Sequence, residues 1–164
     1  MSDEPCCLPG ASPNGGALPM RLRRAESRDR AGLVALWLAA VRASHHFLGE
    51  AEIEALLPAV IEELRGRALE FWVLCDRGDE PVAFLGLDGA KLEALWVAPE
   101  FQRRGLGRRL VAHAVNLKGE LTLDVNEQNV AAQRFYAVCG FRMEGRSECD
   151  SAGRPYPLLH MRRS

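Results

Sequence analysis

Residues 92–110 read Leu-Glu-Ala-Leu-Trp-Val-Ala-Pro-Glu-Phe-Gln-Arg-Arg-Gly-Leu-Gly-Arg-Arg-Leu, and the period of their apolar positions changes part-way. Leu92, Ala94 and Trp96 alternate with Glu93, Leu95 and Val97, which assigns the two sets to opposite faces of an extended strand. Pro99 has no N–H to give to a ladder and ends it. From Leu106 the apolar residues recur as Leu106, Leu110, Val111, Ala114, Val115 and Leu117, the stripe of an amphipathic helix.

The joint between strand and helix is Gln102-Arg103-Arg104-Gly105-Leu106-Gly107. Glycines allow the backbone to approach a ligand closely, and the free N–H groups of a helix N-terminus point at whatever sits there, which favours phosphate. Arg108 and Arg109 bring positive charge to the positive end of the helix dipole, a placement that an anion would offset. A pyrophosphate cradle is therefore expected. It is not a P-loop, because Gly107 is followed by Arg108-Arg109 rather than Lys-Ser/Thr, and Leu110 stands where a dinucleotide fingerprint needs a small residue.

Gln-x-x-Gly-x-Gly after a strand ending in Val-x-Pro resembles the acyl-CoA signature of the GNAT superfamily of N-acetyltransferases. Residues 121–141 carry a second match, an Asn capping a helix that ends in Phe135-Tyr136 followed by Gly140-Phe141. The resemblance implies acetyl-CoA held by Gln102, Arg103, Arg104, Gly105, Leu106, Gly107 and Arg108, with the backbone of Leu95, Trp96 and Val97 pairing with the pantetheine amides. It also implies Asn129 near the pantetheine arm and Tyr136 beside the thioester sulfur, protonating the departing thiolate.

The whole chain is consistent with such a domain. At 164 residues it has room for one domain that buries roughly 70% of its unfolded surface. A formal net charge of −1 supplies no broad basic face for nucleic acid, and no apolar run reaches membrane length. Residues 1–19 interleave Pro5, Pro9, Pro13 and Pro19 with Gly10, Gly15 and Gly16, lack a secretory pattern, and are expected to be a disordered tail before a domain over 20–164. Met20-Arg21-Leu22-Arg23 reads as a fresh beginning and is a candidate start. The five cysteines are odd in number and contain no C-x-x-C, so neither a disulfide framework nor a metal site is expected, and a reducing cytoplasm fits best.

Taken in order, Arg21 to Ala25 reads as a strand, Ser27 as the cap of a first helix, and Gly49 as its close; a second helix carries Ile53 to Leu64 with Pro58 inside it. Phe71 to Asp76 and Pro81 to Leu87 read as a hairpin leading into the strand at Leu92. Leu121 to Val125, a helix from Asn129, and strands at Phe141 to Glu148 and Tyr156 to Met161 follow. The expected architecture is α/β, a mixed, mostly antiparallel sheet of about seven strands with helices on both faces, as the GNAT order implies.

The chemistry needs a neutral amine to attack the thioester. Glu93 is the expected base, with His45 and His46 as competitors. His45, His46, Phe47, Trp72 and Tyr156, together with Trp37, are the expected wall of the acceptor pocket. The expected acceptor is a small-molecule primary amine, without nucleic acid or membrane partners; a homodimer is left open. Two alternatives stand beside this reading, a non-catalytic acyl-CoA sensor and an acetyltransferase acting on proteins.

Overall fold

The computed structural model describes residues 19–164, so the tail expected over 1–19 lies, apart from Pro19, outside the described residues. Its elements run β1 (Arg21–Arg24), α1 (Arg30–Ser44), α2 (Glu50–Arg65), β2 (Glu70–Cys75), β3 (Pro81–Asp88), β4 (Lys91–Val97), α3 (Leu106–Lys118), β5 (Leu121–Asn126), α4 (Val130–Val138), β6 (Arg142–Ser147) and β7 (Leu158–Arg163). The seven strands form one sheet in the order β1-β2-β3-β4-β5-β7-β6. Pairing is antiparallel everywhere except between β4 and β5, which α3 joins as a parallel crossover. The last strand does not extend the sheet at its edge. It inserts between β5 and β6.

β3 explains why the sheet needs helices on both faces. Val82 to Leu87 are all buried, a near-continuous apolar run that no one-sided sheet could satisfy. One face packs on α1 and α2 through Leu33, Trp37, Val41, Ile53, Val73 and Phe84. The other packs on α3 and α4 through Leu85, Leu110, Val111, Leu123 and Met161. Leu110 is fully buried, which stabilises the fold by about 1.5–3 kcal/mol.

Three local readings change. The strict alternation expected along β4 is broken, because Gly86 faces Ala94 while the next residue, Leu87, faces Leu92. Glu93 has no partner on β3 and forms a bulge, so Leu92, Leu95 and Val97 share the α3 face while Ala94 and Trp96 turn to α1. Gly49 does not close α1. It caps α2, its N–H donating to Glu52 Oε2 at 2.8 Å. Ser27 lies in a short 3₁₀ turn whose cap is built by Glu26 and Asp29, and Pro58 lies within an unbroken α2.

Candidate active site

β4 and β5 pair at Lys91 with Thr122 and Leu92 with Leu123, and no further. Past the bulge they diverge, leaving the β5-facing backbone of Leu95 to Val97 without a strand partner. A cleft of about 650 Å³ opens between them, with Leu95, Trp96, Val97, Asn126, Asn129 and Tyr136 among its lining. The N-terminus of α3 closes one end.

The cradle is built from an unusual backbone. Arg103 has φ 61° and Gly105 φ 78°, and Gly105 is the N-cap of α3. Its carbonyl accepts from Arg109 N at 3.0 Å, so the N–H groups of Leu106, Gly107 and Arg108 have no i−4 partner within the helix. Gln102, Arg103, Gly105, Leu106, Gly107 and Arg108 all line the cleft. Arg104 turns away, its guanidinium 5.1 Å from the centre of the Phe101 ring.

The two glycines serve different ends. A Cβ on Gly105 would meet nothing within 4 Å, so its need for glycine is the left-handed backbone. A Cβ on Gly107 would lie 3.0 Å from Phe135 Cζ, so that glycine also lets α4 close on α3. Gly105→Ala should therefore weaken acetyl-CoA binding by roughly 5- to 30-fold, the equivalent of about 1–2 kcal/mol of left-handed strain. Gly105→Asn, which tolerates this conformation better, should lose less. Calorimetric titration of both variants checks the order.

α4 supplies the opposite wall. Asn129 caps it, Oδ1 accepting from Ala132 N at 3.1 Å, which aims its amide NH₂ across the cleft. Tyr136 packs edge-on against Phe135 and Phe141, with ring centres 5.2 and 5.6 Å away. Burial pushes its hydroxyl well above the usual tyrosine range, with Cys139 adding to the shift.

On the α1 side an aromatic row runs from core to rim. Trp37 and Trp96 lie edge to face at 6.2 Å; His45 sits 5.2 Å from both Trp96 and Phe47, and Phe47 lies 6.4 Å from Tyr156. The Tyr156 hydroxyl donates to Glu52. His45 Nδ1 lies 2.8 Å from Ser44 Oγ, and Nε2 lies 3.4 Å from Asn129 Nδ2. Burial pushes the His45 pKa down to about 4, with His46 adding to it. Two expected wall residues are not brought here: His46 is exposed, and Trp72 faces His113 of α3 at 4.2 Å on the other side of the sheet.

Glu93 lines the cleft from its bulge, where Lys91 Nζ holds it at 2.9 Å. The same ammonium lies 3.0 Å from Asp124, which also faces His160 Nδ1 at 2.5 Å. Ser44, Asp124 and Asn126 were missed from sequence, although Asp124 and Asn126 alternate with the buried Leu123 and Val125. That alternation aims them at the face where the cleft opens.

The model of the Acetyltransferase (GNAT) family matches residues 28–141, which holds the splayed strands, the cradle and α4. This chain belongs to the GNAT family. It is an N-acetyltransferase, and acetyl-CoA is the donor that GNAT enzymes use. Two GNAT relatives, both named peptidyl-lysine N-acetyltransferase YjaB, are 39% identical in Salmonella typhimurium and 40% identical in Escherichia coli. The matches cover 87% and 85% of this chain and 97% and 94% of theirs. The apo solution structure of the Escherichia coli YjaB superposes with a TM-score of 0.81 over 88% of this chain and 97% of that one, at 38% identity. A more distant GNAT fold, the PaiA N-acetyltransferase of Thermoplasma acidophilum solved with coenzyme A, matches over 90% of this chain and 99% of that one with a TM-score of 0.73 at 17% identity.

Proposed function

We propose that this GNAT enzyme transfers the acetyl group of acetyl-CoA to the side-chain amine of lysine in a protein or peptide. The observation that carries this reading is the open side of the cleft. α1 and α2 pack on the first strands of the sheet and on β4, and among the described residues no helix covers β5, β7 and β6 on that side. The cleft thus runs from the aromatic row onto a bare polar surface bearing Asp124, His160 and Ser147, where an extended chain has room. Without Trp72 the pocket lacks the enclosing wall that a small-molecule amine would favour. The names of the two YjaB relatives support the same acceptor.

In this reading the unpartnered amides of Leu106, Gly107 and Arg108 hold the pyrophosphate, assisted by Arg103 and Arg108, and the free edge of β4 pairs with the pantetheine amides. A β4 N–H near Leu95 to Val97 stabilises the oxyanion as the amine adds to the thioester carbon. Tyr136 then gives its proton to the thiolate. The fit is chemical as well as spatial: a left-handed loop with open space above Gly105 and uncapped amides beneath suits a phosphate ester.

The test is incubation of the protein with acetyl-CoA and a mixed set of lysine-bearing peptides and free amines, followed by mass spectrometry. Acetylation of peptide lysines is expected. Turnover confined to free polyamines or other small amines would refute the lysine assignment.

A further inference from the structure

Four of the cleft's polar side chains are already committed. Glu93 and Asp124 are held by Lys91, Asn126 Oδ1 accepts from Gln128 N at 2.9 Å, and Asn129 Oδ1 accepts from Ala132 N. His45 differs. The Ser44 hydroxyl donates to Ala40 O at 2.8 Å, so its lone pairs are what it offers to His45 Nδ1, and Nδ1 carries the proton. Nε2 is then the acceptor nitrogen. Its lone pair takes only a long hydrogen bond, 3.4 Å, from Asn129 Nδ2 across the cleft, one that an amine proton can displace, and the ring is held between Phe47 and Trp96.

We infer that His45 Nε2 takes the amine proton during acetyl transfer, and that Ser44 is the positioning residue that fixes its tautomer. This deepens the function proposed above and rests on it. The amine lone pair forms the C–N bond and the carbonyl π pair moves to oxygen. The nitrogen becomes cationic and far more acidic than a free ammonium, and its proton passes to Nε2. As the oxyanion collapses, the C–S bond breaks, its electron pair leaves with sulfur, and sulfur takes the Tyr136 proton. His45 imidazolium and Tyr136 phenolate return to neutrality by exchange through water, so the enzyme ends as it began; a lysine ammonium loses its first proton to water before it attacks, and that proton is the one released overall.

The surroundings agree with this role. Partial burial keeps the imidazole neutral before every turnover and lowers its basicity, so it takes a proton only from the strongly acidic cationic adduct and gives it up readily to water afterwards. Glu93 is less suited. Its carboxylate is engaged by Lys91 at 2.9 Å and is partly exposed.

The experiment compares variants on whichever amine the wild type turns over. His45→Gln should lower kcat by roughly 10²-fold, the contribution of a positioned proton acceptor, and leave acetyl-CoA affinity within about threefold. His45→Ala should regain activity with added imidazole, which a purely structural wall residue would not. Ser44→Ala should lose about tenfold in kcat at nearly constant KM, with Ser44→Thr restoring it. Retained kcat in His45→Gln would overturn the inference. So would an imidazole-insensitive His45→Ala paired with a large loss in Glu93→Gln. Wild-type inactivity on lysine peptides alone would count against the acceptor, not against His45.

Discussion

Tyr136→Phe is expected to lower kcat by roughly 10²- to 10⁴-fold while leaving acetyl-CoA binding almost unchanged. The substitution keeps the ring that packs against Phe135 and Phe141 and removes the O–H alone, so a loss reports chemistry rather than folding. A thiolate with a pKa of about 8.5 is a weaker base than an ordinary phenolate, and burial raises the Tyr136 hydroxyl further. Tyr136 thus stays protonated through the working range, and because passing its proton to the thiolate is uphill, it assists the departure of sulfur without being indispensable. No fall in kcat on the basic side of neutrality should be traceable to it. Stopped-assay kcat values across pH for both proteins, with calorimetric binding alongside, check this; equal kcat values would remove Tyr136 from the mechanism.

The second large effect is on stability. Arg23 and Asp29 are both buried, and their bidentate pair has hydrogen bonds of 2.7 and 2.9 Å; Arg23 Nε also donates to Asp79 at 3.0 Å. Arg23 holds both carboxyls below the usual range, Asp79 at about 2. Arg23→Met would leave the Asp29 carboxylate buried without its partner, costing about 3–5 kcal/mol and lowering Tm by roughly 6–20 °C. The sign with pH follows from the depressed values. The stabilisation is fully present above an unfolded pKa of about 3.9 and is lost as pH falls through the folded values. The gap in Tm between wild type and variant should therefore close as the solution is taken from about pH 4 towards about 2. Calorimetric melts at several pH values measure it, and a gap independent of acid would contradict the ion-pair account.

Much of this was legible in the residues because period reports burial directly. The stripe of α3 named the buried Leu106, Leu110, Val111 and Ala114, although Leu117 at its end is exposed. What failed depended on partners distant in the chain. The bulge at Glu93 exists because of how β4 registers on β3 near Gly86, whose missing side chain leaves room for Phe71. No local pattern in residues 92–97 reveals it. Trp72 was read correctly as a strand residue, but alternation does not say which helix will cover which face, and its partner proved to be His113. The insertion of β7 between β5 and β6 is likewise a matter of long-range pairing.

The site shows the same division. Gln102 to Arg108 and the Asn129 cap stand in short motifs, and the structure gathers them, Arg104 apart, around one cleft. Gly107 carries a second constraint that the motif does not show, from Phe135, 28 residues later in the chain and on another helix. Ser44 beside His45 was visible as a neighbouring pair. Its meaning required the Ala40 carbonyl, which decides the direction of the hydroxyl proton and hence the tautomer.

Calorimetric titration of acetyl-CoA into the purified wild-type protein tests the central claim most directly, because the cradle, the splayed strands and Tyr136 have a common purpose only if that molecule occupies the cleft. The predicted result is one site per chain with a Kd on the order of micromolar, about −8 kcal/mol, weakened in Gly105→Ala. Absence of binding, or binding that the Gly105 substitution leaves untouched, would contradict it.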